Sequence, residues 1–297
     1  MKKRLSILIL CLSLSLSSCG PGKLFGPTAT PTATATITAT ITPNPTPTPG
    51  VGSTETSPKD GMVEGFVPAG DFLMGSPDSD SSATSDEKPQ HTVHLDAYWI
   101  DQTEVTNAMY ALCVQAGACQ PPLSSKSAIH DAYYGDVQYA DYPVLWVDWN
   151  AAQSYCKWAG RRLPTEAEWE KAARGTEGRI YPWGDTAPTC ELGNFGLQEG
   201  DCVGDTSKVG GYPAGASPYG VLDMSGNVWE YVADWYAENY YSTSPNNNPT
   251  GPASGSARVI RGGSWYFDTP RVSAVNRAYY VGPGGNNLGF RCVSPQQ

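Results

Sequence analysis

Two stretches near the start of the foldable region show the residue pattern of β-strands. Residues 66–76 predict two short strands around a Pro/Gly turn. Residues 92–100 alternate between apolar and polar positions, which predicts one half-buried strand. One side of that strand would carry Val93, Leu95, Ala97 and Trp99. His91 and His94 would then point to opposite faces, so we expect no metal site from them.

Three helices are predicted between residues 106 and 175, each beginning at a polar residue that can cap it. The predicted caps are Thr106, Asp148 and Thr165, and the predicted stops are Gly117, Gly160 and Gly175. Thr165 and Glu168 form a capping box. The acidic residues Glu166, Glu168 and Glu170 are explained by the helix dipole, which favours negative charge in the first turn. Beyond residue 179 we expect few helices.

Residues 258–293 open and close on short apolar runs with a long irregular stretch between them. Val259 and Ile260 predict a strand that breaks at Gly262 and Gly263, and residues 288–293 predict a second strand. About twenty polar and aromatic residues separate the two. Such a segment can hold one shape only if the rest of the chain wraps around it.

The N-terminal residues 1–19 have the pattern of an export signal. A basic start is followed by an apolar run over residues 5–16, which is too short for a mature membrane helix, and then by Cys19. Residues 16–19 (LSSC) are similar to a bacterial lipobox, which predicts lipid attachment at Cys19 and anchoring to the outer face of the membrane or the cell surface. The alternative is an ordinary secretory signal cut nearby. Both interpretations predict an exported protein.

Residues 20–60 are dominated by Thr, Ala and Pro in repeated TAT and TPT units. Because almost no large apolar side chain follows Phe25, this stretch cannot offset the entropy cost of folding and is expected to be an extended tether. The folded domain is predicted over residues 61–297.

Composition and charge limit the classes of partner. The chain has nine Trp, 17 Tyr, 32 Gly and 25 Pro, which allows a large core but few long elements. The formal charge is -10, and removal of a leader carrying Lys2, Lys3 and Arg4 would make it more negative. An acidic surface repels phosphate backbones, so we expect no nucleic-acid partner, whereas divalent cations suit its sign.

Eight cysteines are present, and six remain once Cys11 in the leader and Cys19 are set aside. An even number in an exported protein indicates disulfides, with fifteen possible pairings for six. Cys113 and Cys119 enclose a short loop, so their pairing is locally plausible. The alternative is that some of the six are free buried thiols.

Four sequence blocks together resemble the sulfatase-modifying-factor family, whose founding members are the formylglycine-generating enzymes. The blocks are residues 146–175 (WVDWNAAQSYCKWAGRRLPTEAEWEKAARG), 181–185 (YPWGD), 223–230 (DMSGNVWE) and the RGGSW…NR…NNLGFRC pattern of residues 261–292. The resemblance covers roughly residues 64–293. It implies a single compact α+β domain, distantly like C-type lectins, with little regular secondary structure. It also implies a disulfide between Cys156 and Cys292, which leaves Cys190 and Cys202.

The family's oxidases carry two redox cysteines at the third and eighth positions after the serine of RGGS. Counting from Ser264, these positions are Phe267 and Val272. Neither side chain can supply the thiolate that this oxidation requires, so copper is not expected and catalytic residues are not assigned. The resemblance still implies a ligand cleft. Its predicted residues are Trp229, Ser264, Trp265, Arg271 and Asn287. The alternatives are that Ser264 is a turn residue and that Trp229 belongs to the core.

Calcium is the cofactor that the resemblance implies. Hard cations take six to eight oxygen ligands, which irregular loops can present. A first site would use the side chains of Asp223 and Glu230 with the carbonyls of Gly226 and Val228. A second would use the side chains of Asn194 and Asp201 with the carbonyls of Phe195 and Val203. The alternative is that the Asp and Asn residues simply form turns.

Three functions follow as hypotheses. The favoured one is a calcium-stabilised binding module for a peptide, protein or glycan, displayed on a lipid anchor and tether. The second is an enzyme, either a divergent formylglycine-type oxidase acting on protein cysteine or a hydroxylating relative. The third is a ligand binder diversified by a retroelement, in which the variable residues would fall in the C-terminal stretch. Suitable positions there are Tyr266, Phe267, Asp268, Tyr279, Tyr280 and Gly284.

Overall fold

The computed structural model describes Gly26 and residues 48–197, 200–268 and 271–296. The predicted leader, the predicted lipid-attachment residue Cys19 and most of the predicted tether lie outside the described residues. Within the described part of the chain, no helix is long and apolar enough to cross a membrane.

The three predicted helices are confirmed with their caps. They are α1 (Asn107–Gln115), α2 (Trp149–Trp158) and α3 (Glu166–Arg174). In each helix the predicted cap side chain accepts a hydrogen bond from a backbone N–H of the first turn, and Thr165 and Glu168 form the reciprocal capping box. Short 3-10 turns occupy Ser85–Glu87, Val137–Tyr139, Pro213–Gly215 and Tyr240–Ser242.

The remaining regular structure is short strands in several small sheets. In chain order they are β1 (Thr54–Thr56), β2 (Val63–Val67), β3 (Gly70–Met74), β4 (His91–Leu95), β5 (Tyr98–Asp101), β6 (Gly196–Leu197), β7 (Gly200–Asp201), β8 (Trp229–Trp235), β9 (Arg258–Arg261), β10 (Arg277–Tyr280), β11 (Leu288–Phe290) and β12 (Val293–Pro295). One four-stranded sheet has the order β1-β2-β5-β12 and another the order β10-β9-β8-β11. Strands β3 and β4 pair with each other, as do β6 and β7. The predicted α+β class with little regular structure is confirmed.

Three expectations about the strands need correction. The single strand predicted over residues 92–100 is wrong, because β4 and β5 belong to different sheets and every residue of β5 is buried. The irregular stretch of residues 258–293 contains a further strand, β10, which pairs with β9. Finally, β1 pairs with β2, so the folded region extends further toward the N-terminus than the predicted boundary at residue 61.

Helix α3 lies at the centre of the domain, and all nine of its residues are buried. Its apolar side packs Trp169 into the main hydrophobic cluster. Its acidic side is not solvated: Glu166 and Glu170 accept hydrogen bonds from the buried guanidinium groups of Arg261 and Arg277. The dipole explanation for these carboxylates is therefore incomplete, because buried partners on β9 and β10 satisfy them.

Residues 258–293 are wrapped by the rest of the chain, as predicted. Strand β11 runs parallel to β8, while β12 pairs with β5 in the other four-stranded sheet. The six cysteines in the described part of the chain form three disulfides. They join Cys113 to Cys119, Cys156 to Cys292 and Cys190 to Cys202. The second bridge links α2 to the link between β11 and β12.

Candidate functional site

The floor of the predicted cleft is built where β8 and β11 begin. The backbone N–H of Trp229 donates to the carbonyl of Asn287 at 2.9 Å. The Asn287 side-chain amide in turn lies 3.4 Å from the hydroxyl of Ser264. The structure therefore brings together three of the residues that the sequence assigned to the cleft.

The Gly262–Gly263 turn brings Gly263 close to residues 271 and 272. Both glycines have positive φ, at 93° and 73°. A Cβ atom at Gly263 would lie 2.7 Å from the carbonyl oxygen of Arg271 and 2.8 Å from the Val272 side chain, so a larger residue cannot be accommodated without movement. The hydroxyl of Ser225 donates to the Val272 carbonyl at 2.6 Å and fixes the other side of this contact.

Apolar side chains stand at both positions where the family's oxidases carry cysteine. The Phe267 ring packs edge-on against Trp229, with 5.6 Å between the ring centroids. Val272 is fully buried. All six cysteines in the described part of the chain are disulfide-bonded, so no thiolate is available there. The site holds no group that could carry out thiol-based oxidation.

The predicted cleft residues differ in how far a ligand could reach them. Trp229, Ser264 and Trp265 are all buried, and the Trp265 indole N–H donates to the Asn286 carbonyl at 3.3 Å. The accessible surface above them comes instead from the exposed Tyr266, the half-buried Phe267 and the exposed Arg271. The Arg271 guanidinium lies 5.3 Å from the centre of the Phe267 ring. The burial of Trp229 agrees with the alternative that it is a core residue.

The first predicted calcium set lies on the turn before β8. Asp223 and Asn227 both have positive φ, at 57° and 56°, which an Asp or Asn tolerates better than most residues. A carboxylate oxygen of Asp223 accepts from the Gly210 N–H at 2.6 Å. Glu230 accepts from Nε and Nη2 of Arg291, each at 2.7 Å, and from the Trp169 indole at 2.9 Å. The two carboxylates are therefore held by separate partners.

Sequence reasoning missed Glu104, a fully buried carboxyl between β5 and α1. Its Oε1 accepts from the Asn227 side-chain amide at 3.0 Å, whereas its Oε2 has no hydrogen-bond partner among the described residues. Burial and the neighbouring Asp223 raise the pKa of Glu104 well above its usual range. Burial likewise raises the pKa of Asp223. An isolated Glu in the sequence gives no sign of this environment.

We call Glu104, Asp223, Glu230 and Arg291 the turn-side cluster. It contains three carboxyl groups and one guanidinium, so its ionised form has an excess of negative charge. In the described part of the chain, no three Asp, Glu, His or Cys side chains converge on one point that could hold a metal. A calcium ion would therefore need two carboxylates together with backbone carbonyls, which is the ligand set predicted from Asp223, Gly226, Val228 and Glu230. The orphaned Glu104 oxygen and the excess of carboxyl groups suit a hard cation.

The second predicted calcium set contacts, through the backbone, the turn that carries the first. The Asn194 carbonyl accepts from the Asn227 N–H at 2.7 Å. The Asn194 side-chain oxygen is buried without a partner among the described residues, which suits a cation ligand. Asp201 is exposed on β7, while the Phe195 carbonyl already accepts from the Cys202 N–H at 3.0 Å. Val203, which would supply the fourth ligand, is 49 % exposed.

Comparisons with known proteins agree with the family resemblance of the sequence blocks. A family model described as "Sulfatase-modifying factor enzyme 1-like domain" matches residues 49–296. The formylglycine-generating enzyme of Streptomyces coelicolor is 34 % identical over 279 residues, covering 77 % of this chain and 88 % of that protein. The mouse protein named "Inactive C-alpha-formylglycine-generating enzyme 2" is 40 % identical over 168 residues, covering 52 % of this chain and 49 % of that one. Among solved structures, Treponema denticola variable protein 1 is similar, with a TM-score of 0.65 and 25 % identity over 82 % of this chain and 99 % of that one.

Proposed function

The chain belongs to the sulfatase-modifying factor enzyme 1-like family, and we propose that it is a non-oxidase member: a calcium-stabilised binding module for a peptide, protein or glycan. The observation that carries the proposal is the pair of apolar side chains at Phe267 and Val272. Thiol-based oxidation needs a thiolate, and every cysteine in the described part of the chain is in a disulfide. The existence of a relative named as inactive supports the same view.

The accessible surface above the cleft supports binding rather than chemistry. Tyr266 is 64 % exposed, and Arg271 is also exposed beside the half-buried Phe267 ring. Tyr and Arg are the residue types that most often dominate binding energy at interfaces. Below this surface lie the buried Trp229 and Ser264 and the half-buried Asn287. We therefore propose that the ligand contacts Tyr266, Phe267 and Arg271, with Asn287 at the margin.

The predicted setting of the module is the cell envelope. The lipobox-like residues 16–19 support attachment of lipid at Cys19, and the Thr/Ala/Pro stretch supports a spacer that displays the domain away from the membrane. Radiolabelled fatty acid should be incorporated into the native protein and not into a Cys19→Ala variant. Equal labelling of both proteins would remove the lipid anchor from the proposal.

The non-oxidase proposal is tested by a turnover assay. The purified chain is incubated with a peptide carrying the sulfatase-type cysteine motif and with copper, and aldehyde is quantified by mass spectrometry. The formylglycine-generating enzyme of Streptomyces coelicolor serves as the positive control. We expect aldehyde from the control only. Aldehyde formation by this chain would overturn the proposal and favour the second candidate, an oxidase, which the 34 % identity to that enzyme supports.

The binding role is tested by capture from the envelope of the producing cell. A variant carrying Tyr266→Ala and Arg271→Ala should lose the captured ligand, because it removes the two exposed side chains of the proposed surface. A control variant, Val137→Ala, changes an exposed apolar residue elsewhere and should retain it. Equal capture by both variants would place the binding surface outside the cleft.

A third candidate is a binder whose C-terminal stretch is diversified by a retroelement. The structural similarity to Treponema denticola variable protein 1 is the observation that favours it. Sequencing the genomic neighbourhood tests it directly. A template repeat matching the codons for residues 266–284, next to a reverse-transcriptase gene, would support this candidate, and the absence of both would exclude it.

A further inference from the structure

A polar cavity of about 640 Å³, separate from the predicted cleft, lies between the loop after β3, the end of α3 and residues 273–276. None of the buried cleft residues lines it. Among its lining residues are Asp80, Glu87, Arg174 and Asn276. Several of these side chains are polar and yet buried in the protein, so the cavity is a built feature of the fold and not a gap between surface loops.

Glu87 and Asn276 form the centre of this cavity. Glu87 is 3 % exposed and Asn276 is 8 % exposed. The Asn276 amide N–H₂ donates to Oε1 of Glu87 at 2.9 Å. The Asn276 side-chain oxygen has no hydrogen-bond partner among the described residues. Buried polar atoms are rarely left unpaired, so this amide oxygen indicates a missing donor.

Arg174 lines the cavity, but its guanidinium group is not free to donate to the Asn276 oxygen. The guanidinium of Arg174 donates to the carbonyls of Gly75, Gly178 and Arg179 and to the Glu170 carboxylate, at 2.8 to 3.1 Å. Its positive charge is therefore used inside the protein. The charged side chains that remain in the lining are Asp80 and Glu87, which repel anions.

We propose that this cavity binds ligands through a primary ammonium group, with the Glu87 carboxylate as counter-ion and the Asn276 side-chain oxygen as a second acceptor. An ammonium group carries three donors and no acceptor, which matches an amide oxygen that lacks a donor beside a buried carboxylate. A guanidinium fits less well, because the Asn276 amide already uses part of the acceptor capacity of Oε1 that a bidentate pair would need. Inorganic phosphate and carboxylate ligands are excluded by charge.

The electrostatics of Glu87 agree with this assignment. Burial raises the pKa of Glu87 despite the Asn276 hydrogen bond and the positive charge of Arg261. A bound cation would compensate for the lost solvation of the carboxylate. Charge-assisted hydrogen bonds of this kind are about twice as strong as neutral ones.

The test uses the full chain and two probes of equal length, 1,5-diaminopentane and 1,5-pentanediol, in calorimetric titrations. We expect saturable binding of the diamine and none of the diol. The isosteric variant Glu87→Gln should weaken diamine binding at least tenfold, because it removes the counter-ion and keeps the acceptor for Asn276. The control variant Glu191→Gln changes an exposed carboxylate elsewhere and should bind as the native chain does.

Three outcomes would overturn the proposal. They are no binding of the diamine, equal binding by the native chain and the Glu87→Gln variant, and equal binding of diol and diamine. If Glu87→Gln fails to fold, Asn276→Ser removes the second acceptor and should weaken the diamine about fivefold; an unchanged affinity in that variant would also overturn the proposal. The site shares no residue with the Tyr266 and Arg271 variant above, so failure here leaves the proposed cleft function untouched.

Discussion

Two buried clusters of charged side chains in this domain differ in the ratio of carboxyl groups to guanidinium groups. The first, which we call the helix-side cluster, consists of Glu166, Glu170, Arg174, Arg261 and Arg277. Every carboxylate in it contacts at least two guanidinium groups. The turn-side cluster of Glu104, Asp223, Glu230 and Arg291 has one guanidinium for three carboxyls, and that guanidinium is paired with Glu230.

The difference in charge balance distinguishes a cluster that stabilises the fold from one that is a candidate ion-binding site. Burying a charge is costly unless it is paired, and the helix-side cluster meets that cost with its own residues. The turn-side cluster leaves one Glu104 oxygen without a partner in the described part of the chain. We infer that the first cluster holds the fold together as it stands, whereas the second is completed by a cation from solution. Four experiments test this contrast, in order of decreasing effect.

Removing one carboxylate from the helix-side cluster should have the largest effect. Glu166→Ala leaves the guanidinium groups of Arg261 and Arg277 with a lost acceptor, at contacts of 3.2 and 2.8 Å in the native protein. We expect a loss of about 3 to 5 kcal/mol in the free energy of unfolding. Denaturant titration measures it, and a second substitution, Arg277→Met, should recover part of the loss. A loss under about 1 kcal/mol would show that the cluster is not a structural unit.

Chelation should affect the other cluster. If calcium binds only the folded state, at one hundred times its dissociation constant it adds about 2.7 kcal/mol of stability, which EDTA removes. Melting curves with and without EDTA measure the effect, with magnesium refill as a control for selectivity. An unchanged melting curve in excess chelator would remove both predicted calcium sites and with them the inferred role of the turn-side cluster.

Asp234 lies next to the helix-side cluster. Its pH dependence tests whether a carboxylate at the edge of the cluster is compensated as well as those inside it. Burial and the nearby Glu166 raise the pKa of Asp234 to about 8, although it accepts a hydrogen bond from the Glu166 N–H. The unfolded chain releases this proton near pH 4, so between about pH 4 and 8 the folded state binds more protons and its stability falls as pH rises. Asp234→Asn should remove that slope and be more stable than the native chain at pH 8. A slope unchanged in the variant would place its origin elsewhere.

Glu104→Gln should have the smallest effect. It removes one negative charge from the turn-side cluster and keeps the acceptor for Asn227, so calcium affinity should fall about tenfold, or ~1.4 kcal/mol. The melting temperature in EDTA should change little, because burial raises the pKa of Glu104 and favours its neutral form in the ion-free protein. Glu55→Gln on the exposed strand β1 is the matched control. Calcium affinity equal to that of the native chain would show that Glu104 does not act on the ion.

Local signals in the sequence predicted much of the fold. Thr106, Asp148 and Thr165 mark the helix starts because capping depends on residues within one turn. The division of residues 92–100 into β4 and β5 could not be found this way, since alternation reports burial and not which sheet a strand joins. Strand β10 was missed for a related reason: its residues are explained by pairing with β9, a contact between distant parts of the chain.

The candidate site was predicted in part. Motif spacing located Ser264, Asn287 and Trp229, and the structure places them in contact. Motif spacing could not show that Trp265 is buried, nor that Tyr266 and Arg271 form the accessible surface. Exposure depends on how the loop lies over Trp229. Glu104 and Asn276 were missed altogether. Their unusual property is a missing partner in three dimensions, and no pattern of neighbouring residues encodes that.

The order in which strands join the two larger sheets determines what happens to truncated chains. Strand β11 covers the open side of β8, and β12 covers that of β5, although β5 precedes β12 by about 190 residues. A chain interrupted before residue 288 would leave β5 and β8 with bare backbone edges, which attract other strands. Truncated products should accordingly be found in aggregates or degraded, and never as a smaller folded domain.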